Sequence, residues 1–419
     1  MRYTLLSFLC FITLIAYVQR SAMNGATTAI EKDLGINSNQ LGNVMSGWYL
    51  LYSLLQLPGG WIADRLGSKP ALLIFAVGWS VLTGIAGLAG GWLGLLLVWG
   101  CMGGMQAGIF PCCTKAIGAT FPKTEQAIAS GGLACCMSLG GALAPFMTAE
   151  LLGPFTWQHI FGLYAIPGLV WAVMFAVVVP RPEQSASNTT EKKENETNEE
   201  WHALPPETRT APRPLWTKLL TDPQMLLLCF QQFLRAGANV LFYTWFERVL
   251  QEAKGLTQKE AGALTFWPPF VGAFGGLFGG LVSDWILKRS GNPRLARQGM
   301  TFVALCLCTA TATAAYFTSD ARVVVILLSV SAFCAMASGV SAYALAISYG
   351  GKRVATVFAT MNMSGNLGAT AFPLAVGWIV TATGNWNYAL LLFVGMFGLA
   401  AACWVVLNPK GTLFEEEPT

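Results

Sequence analysis

The residues that could do chemistry in this 419-residue chain are few, and the first of them sits where charge is least welcome. Arg20 lies inside the apolar run Ile15-Ala16-Tyr17-Val18-Gln19-Arg20-Ser21-Ala22-Met23-Asn24. A guanidinium stays protonated in any protein environment, and in hydrocarbon its burial costs from about 3 to above 10 kcal/mol. At helical spacing Thr13, Tyr17, Arg20, Asn24 and Thr27 share one stripe. A stripe of that kind faces a bundle interior or a watery cavity, because lipid would leave each group unpaired. The competing reading is an arginine that snorkels to the outer headgroups or bonds helix carbonyls. A second stripe, Gln231, Arg235, Asn239 and Tyr243, repeats at steps of four. Asn362 and Asn366 share a helical face and offer donors and acceptors for hydroxyls. Tyr49, Tyr52 and Trp245 could cover the carbon face of a sugar while reaching its polar rim. Two planar guanidiniums suit a carboxylate or a phosphate. The chemistry implied is the holding of a small anion, with no covalent step.

No nucleophile–base pair, metal-ligand cluster or phosphate-binding loop occurs, so neither enzyme activity nor a metal or cofactor is expected. The eleven cysteines all fall in apolar runs and read as small packing residues. Composition gives the setting for these residues: 54% hydrophobic, 11% charged and a mean hydropathy of +0.53. Soluble domains carry about 25% charged residues; this is a polytopic, all-α membrane protein. Windows of about 20 apolar residues predict roughly twelve spans, at 5–29, 41–62, 70–90, 93–118, 127–150, 159–179, 224–250, 260–283, 298–317, 322–349, 355–380 and 388–407. Most loop lysines and arginines fall on one side, which places both termini and the long middle loop in the cytoplasm. They mark topology rather than nucleic-acid binding. The division expected is an N-terminal six-helix lobe at 1–179, a mixed-charge linker at 180–222, a C-terminal six-helix lobe at 223–407 and a tail at 408–419. The lobes repeat one another: Gly59-Gly60-Trp61-Ile62-Ala63-Asp64 ends the second span and Gly279-Gly280-Leu281-Val282-Ser283-Asp284 the eighth. Duplication of that kind marks a two-lobed secondary transporter.

Gly60-Trp61-Ile62-Ala63-Asp64-Arg65-Leu66-Gly67-Ser68-Lys69 resembles the loop between the second and third helices of the major facilitator superfamily. That resemblance implies a latch stabilising the outward-facing state, made by Gly60, Asp64, Arg65, Gly67 and Lys69 with Asp284 as the counterpart. Tyr17-x-x-Arg20, Tyr52-x-x-x-Gln56-x-Pro58, Phe110-Pro111, Tyr243-Thr244-Trp245-Phe246 and Asn362-x-x-x-Asn366 are similar to its anion:cation symporter group, the sugar-acid permeases and sialin-like carriers. In those proton symporters an acid precedes the first-span arginine, and a second stands five residues before the fourth-span proline. Here Gln19 and Gln106 occupy those positions, and Trp99 replaces a fourth-span arginine. Lys115 matches a basic position of the family.

The expected cargo is therefore a small organic anion, a hexonate or hexuronate first. Tyr17, Arg20, Asn24, Tyr52, Gln106, Arg235, Asn239, Tyr243, Asn362 and Asn366 are expected to line its site. Proton coupling is in doubt, and whether a cation accompanies the anion stays open. A monomer in the bacterial inner membrane is expected. The alternatives are an organophosphate/phosphate antiporter, suited by the missing acids, and a membrane sensor built on a transporter fold.

Overall fold

The structure is a computed structural model that describes residues 2–36, 38–179, 215–242, 246, 249–408 and 413. Among the described residues it is helical throughout, with no strand. In chain order the helices are α1 (Arg2–Leu34), α2 (Ser38–Leu66), α3 (Ser68–Ala86), α4 (Trp92–Gln106), α5 (Ile109–Thr120), α6 (Gln126–Leu151) and α7 (Trp157–Val178). The second set is α8 (Leu215–Thr221), α9 (Pro223–Asn239), α10 (Gln258–Thr265), α11 (Trp267–Ser290), α12 (Met300–Phe317), α13 (Ala321–Gly350), α14 (Val354–Thr383) and α15 (Asn387–Val406). A helix meets its own backbone hydrogen bonds, which a lipid-facing segment must do. The ends are set by local chemistry. Asp222 and Asp320 accept from the first-turn amides of α9 and α13, Thr257 and Glu260 form a reciprocal capping box on α10, and Gly291 and Gly384 end α11 and α14 in the left-handed conformation.

Nine stretches of the described residues are long and apolar enough to span a bilayer, and the longest, Ala321–Val380, contains two helices. α2 and α9 fall outside those nine stretches. Two expectations change in detail. The fourth span is broken at Ala107-Gly108 into α4 and α5 rather than running unbroken over 93–118. A Cβ on Gly108 would lie 2.1 Å from the Phe75 ring, so the joint is crowded by α3. Pro111 falls in the first turn of α5, where its missing N–H leaves no bond unmade. The second change concerns 215–221, expected as the end of the linker, which is the helix α8; the rest of the linker, 180–214, lies outside the described residues.

Two separate apolar cores result. One is built from α1–α7 and admits Ile347, Val354 and Ala355 from the far half; the other is built from α8–α15 and admits Phe110. Between the cores, α2 lies on α14, and α6 lies on α11 and α13. Contact is closest near the end of the bundle that carries Lys69, Lys123, Lys288 and Arg294, called here the basic end. A Cβ on Gly60 would come 2.6 Å from the Ala355 carbonyl oxygen, and one on Gly280 would come 2.6 Å from that of Ala127. The two half-repeats thus use matching glycines to bring backbones together. Gly60→Val and Gly280→Val are each expected to force the halves apart at the basic end. The distance between spin labels on the adjoining ends of α2 and α14 should then lengthen; an unchanged distribution in both variants would contradict the packing role.

Candidate functional site

Tyr17 and Arg20 lie one turn apart on α1, and α2 presents Trp48, Tyr49 and Tyr52 to them. The Arg20 Cζ atom is 4.1 Å from the centre of the Trp48 ring, 4.8 Å from Tyr49, 5.2 Å from Tyr17 and 5.6 Å from Tyr52. This box is itself braced. Trp48 stacks on Tyr52 at 4.7 Å and 13°, its indole N–H points to Met102 Sδ at 3.1 Å, and Phe110 meets Tyr17 edge-on. Ring faces attract a cation, by about 0.5–2 kcal/mol each, but they supply no net charge. Arg20 Nη1 also donates to the Tyr17 hydroxyl at 3.4 Å. Beside Arg20 lies a cavity of about 50 Å³, lined also by Ser21, Tyr49 and Trp99. That is space for a few waters.

Arg235, in α9 on the opposite lobe, is 6% exposed. Its Nε and Nη2 donate to Gln232 Oε1 at 3.3 and 3.1 Å, and Nη1 reaches the Ala335 carbonyl at 3.5 Å. The guanidinium passes over Gly339, where a Cβ would lie 2.8 Å from Nη1. Tyr343, one turn beyond Gly339 on α13, packs edge-on against Phe358 of α14. Four ion pairs occur among the described residues, and in none of them does a carboxylate pair with either arginine.

The remaining expected residues divide. Tyr52 is 4% exposed, with its hydroxyl within reach of Asn362 across the lobes. Asn239 keeps a buried Oδ1 with no hydrogen-bond partner. Asn366 is turned back on its own helix, donating to the Asn362 carbonyl at 2.9 Å. Gln106 donates to the Ala16 carbonyl at 3.1 Å and is 2% exposed, so it braces α4 against α1 rather than lining open space. Gln19 is likewise committed to packing: its Oε1 accepts from Trp79 and its Nε2 donates to the Tyr164 carbonyl. Tyr243 and Trp245 lie outside the described residues, as does the side chain of Asn24. Gln56, one turn from Tyr52, was not among the expected site residues. It is fully buried beside the Tyr52 hydroxyl, and its step of four from Tyr52 was the available signal.

At the basic end Asp64 and Asp284 are both engaged. Asp64 Oδ2 accepts from the Thr356 amide at 2.8 Å and from its hydroxyl, and Oδ1 accepts from the Ala355 amide at 3.3 Å. An α2 carboxylate therefore caps α14 of the other lobe. Lys115 stands behind it at 3.3 Å from Oδ1 and also donates to the Ala63 and Asp64 carbonyls. The second repeat reverses the lobes. Asp284 Oδ2 accepts from the Ile128 amide at 2.8 Å, near the start of α6, and Arg297 Nη2 lies 2.7 Å from Asp284 Oδ1. Arg297 also donates to Ser283 Oγ and the Lys123 carbonyl, each at 2.7 Å. The motif's own cations do other work. Arg65 stacks on Trp61 at 3.9 Å, Lys69 donates to the Ala176 carbonyl, and Gly67 opens α3 with a φ of +87°. The part played by Arg297 could not be read from spacing, since thirteen residues and a turn separate it from Asp284.

Known proteins resemble this chain in sequence and in fold. A probable sulfoacetate transporter of Cupriavidus necator is 29% identical, over 98% of this chain and 95% of that one. A probable galactarate/D-glucarate transporter of Bacillus subtilis is 27% identical, over 96% and 90%. The structure of a proton:xylose symporter superposes with a TM-score of 0.74 at 14% identity, covering 97% of this chain and 96% of that one. The sequence pattern of the Major Facilitator Superfamily matches residues 9–330. With its two packed lobes and the repeated Gly/Asp junctions between them, this chain is an integral, multi-pass membrane protein belonging to the Major Facilitator Superfamily of secondary transporters.

Proposed function

We propose that the protein carries a small organic anion across the bacterial cytoplasmic membrane by alternating access, with a sugar acid such as a hexonate or hexuronate as the first candidate. The observation that carries this reading is Arg20: a permanent cation in the middle of the bundle, boxed by four aromatic rings, with no carboxylate beside it among the described residues. An anion relieves the cost of that arrangement, and a guanidinium can grip a carboxylate through two parallel hydrogen bonds. Arg235 supplies the matching cation on the other lobe. Tyr52, Asn362, the Gln56 amide and the unpartnered Asn239 Oδ1 supply partners for hydroxyls. The relatives support the class of cargo, since their names cover a sulfonate and two aldaric acids.

The protein binds and changes shape without catalysing a covalent step. Its lobes are 1–179 and 223–407, it works as a monomer, and both termini are cytoplasmic, as the basic loops require. Asp64 and Asp284 are the latches of the state closed to the cytoplasm, with Lys115 and Arg297 as their backing cations. Arg65 and Lys69 act at one remove, by holding the α2–α3 turn.

A thermal-shift screen of purified protein against hexonates, hexuronates, sulfoacetate and sugar phosphates identifies the ligand. For whichever compound stabilises the protein, Arg20→Ala is expected to weaken binding at least about 100-fold, in line with roughly 2–5 kcal/mol for truncating one side of a buried charge pair. Arg20→Lys should recover little, because an ammonium lacks the planar fork. Wild-type affinity in Arg20→Ala would end the anchoring role. Asp64→Asn, which removes the pair with Lys115 and weakens the cap on α14, is expected to cost the closed state about 1–3 kcal/mol. Labels at the cytoplasmic ends of α2 and α14 should then show a larger open population, and an unaltered population would remove Asp64 from the latch.

A further inference from the structure

We propose that the groove between α12 and α15, on the outer wall of the second lobe, binds one acyl chain of an anionic phospholipid, with Arg294 holding the phosphate at the basic end. This site is independent of what the protein carries. The groove has a volume of about 420 Å³ and lies between Phe302, Cys306 and Ala310 of α12 and Gly398, Ala402 and Val405 of α15. Its one hydroxyl, on Thr309, donates to the Leu305 carbonyl at 2.8 Å and is committed within its own helix. The wall is otherwise apolar and asks for an apolar guest.

The first lobe displays the same seam filled. There α3 lies on α7, and Lys69 Nζ donates to the Ala176 carbonyl at 2.8 Å; in the second lobe Gln298 Nε2 donates to the Val405 carbonyl at 2.7 Å. These two bonds close the basic ends of equivalent seams. Counting along each helix from them pairs Val77 with Cys306, Val81 with Ala310, Leu169 with Gly398 and Val173 with Ala402. At all four positions the second lobe has the smaller side chain. A Cβ on Gly168 would lie 2.0 Å from Ser80 Oγ, so α3 and α7 already touch without one. A Cβ on Gly398 would lie 3.8 Å from Thr309 Cγ2, with room to spare. Side chains missing from a seam leave their neighbours' contacts unmade, and an apolar space of that kind takes an apolar occupant.

Size and charge select the occupant. From Phe302 to Ala310 a helix rises about 12 Å, which gives the groove a mean cross-section of about 35 Å². A helix with its side chains needs roughly 80–110 Å², so the groove is too narrow to seat a second copy of the chain. A single extended hydrocarbon chain is slimmer. Cys306 is exposed, so the groove opens towards the bilayer. At the basic end Arg294 stands one turn before Gln298, is exposed, and enters none of the ion pairs found among the described residues. A guanidinium at headgroup level matches a phosphodiester.

The test uses full-length protein purified in mild detergent, native mass spectrometry, and dioleoyl-phosphatidylglycerol or dioleoyl-phosphatidylcholine as probes. One phosphatidylglycerol is expected to be retained at least about fivefold better than phosphatidylcholine, and Arg294→Gln to erase that preference. Gly398→Leu combined with Ala402→Val, which copies the first lobe, is expected to cut retention at least about tenfold. Phosphatidylglycerol carrying a diazirine on its acyl chain is expected to label α12 and α15 of the unaltered protein, which tests the site without any substitution. Unchanged retention in a folded filled variant, or label spread evenly over the outer helices, would overturn the groove as the site. Equal retention of the two lipids would overturn the choice of an anionic one. A dimer of the unaltered protein that separates when the groove is filled would make a second copy the occupant and overturn the lipid.

Discussion

A guanidinium that cannot shed its proton, set among segments that hydrocarbon surrounds, has to be answered by something. In this protein the answer is quadrupoles and dipoles rather than charge. Four aromatic rings close on Arg20, and Gln232 with one backbone carbonyl receives Arg235. Such contacts lower the cost of burial without cancelling the field. Much of the surrounding architecture follows from that need. α2 gives up apolar surface to carry three aromatic residues on one face, and α13 leaves residue 339 without a side chain so that a guanidinium can lie against its backbone.

The opposite policy holds at the basic end. There Asp64 and Asp284 are each buried against peptide N–H groups of the other lobe, with a cation behind. Both sites are self-sufficient: closing them requires nothing from outside the protein. The centre is not self-sufficient. The two regions thus meet buried charge in different ways: paired carboxylate and cation at the basic end, rings and amides at the centre.

Much of this was legible in the sequence, because membrane burial imposes strong periodicity. The apolar windows located the helices, the Gly-to-Asp step of four disclosed the duplication, and the arginine inside an apolar run is the one the structure surrounds with aromatic rings. What escaped depends on contacts made in three dimensions. Gln106 and Asn366 share the composition of site residues, yet each spends its amide on a helix carbonyl. Nothing local distinguishes them from Asn239, which keeps an unpartnered Oδ1. Arg297 reads as another loop cation until α12 is folded beside the end of α11. The helical character of 215–221 escaped because a two-turn helix has too little periodicity to register.

The joint at Ala107-Gly108 has a consequence for how the centre and the end can influence one another. Trp99, beside the Arg20 cavity, and Lys115, behind Asp64, belong to one membrane crossing, on either side of this joint. With Pro111 withholding an N–H and Gly108 pressed on Phe75, the crossing is held there more by its neighbour than by its own backbone ladder, midway between the packing around Arg20 and that around Asp64.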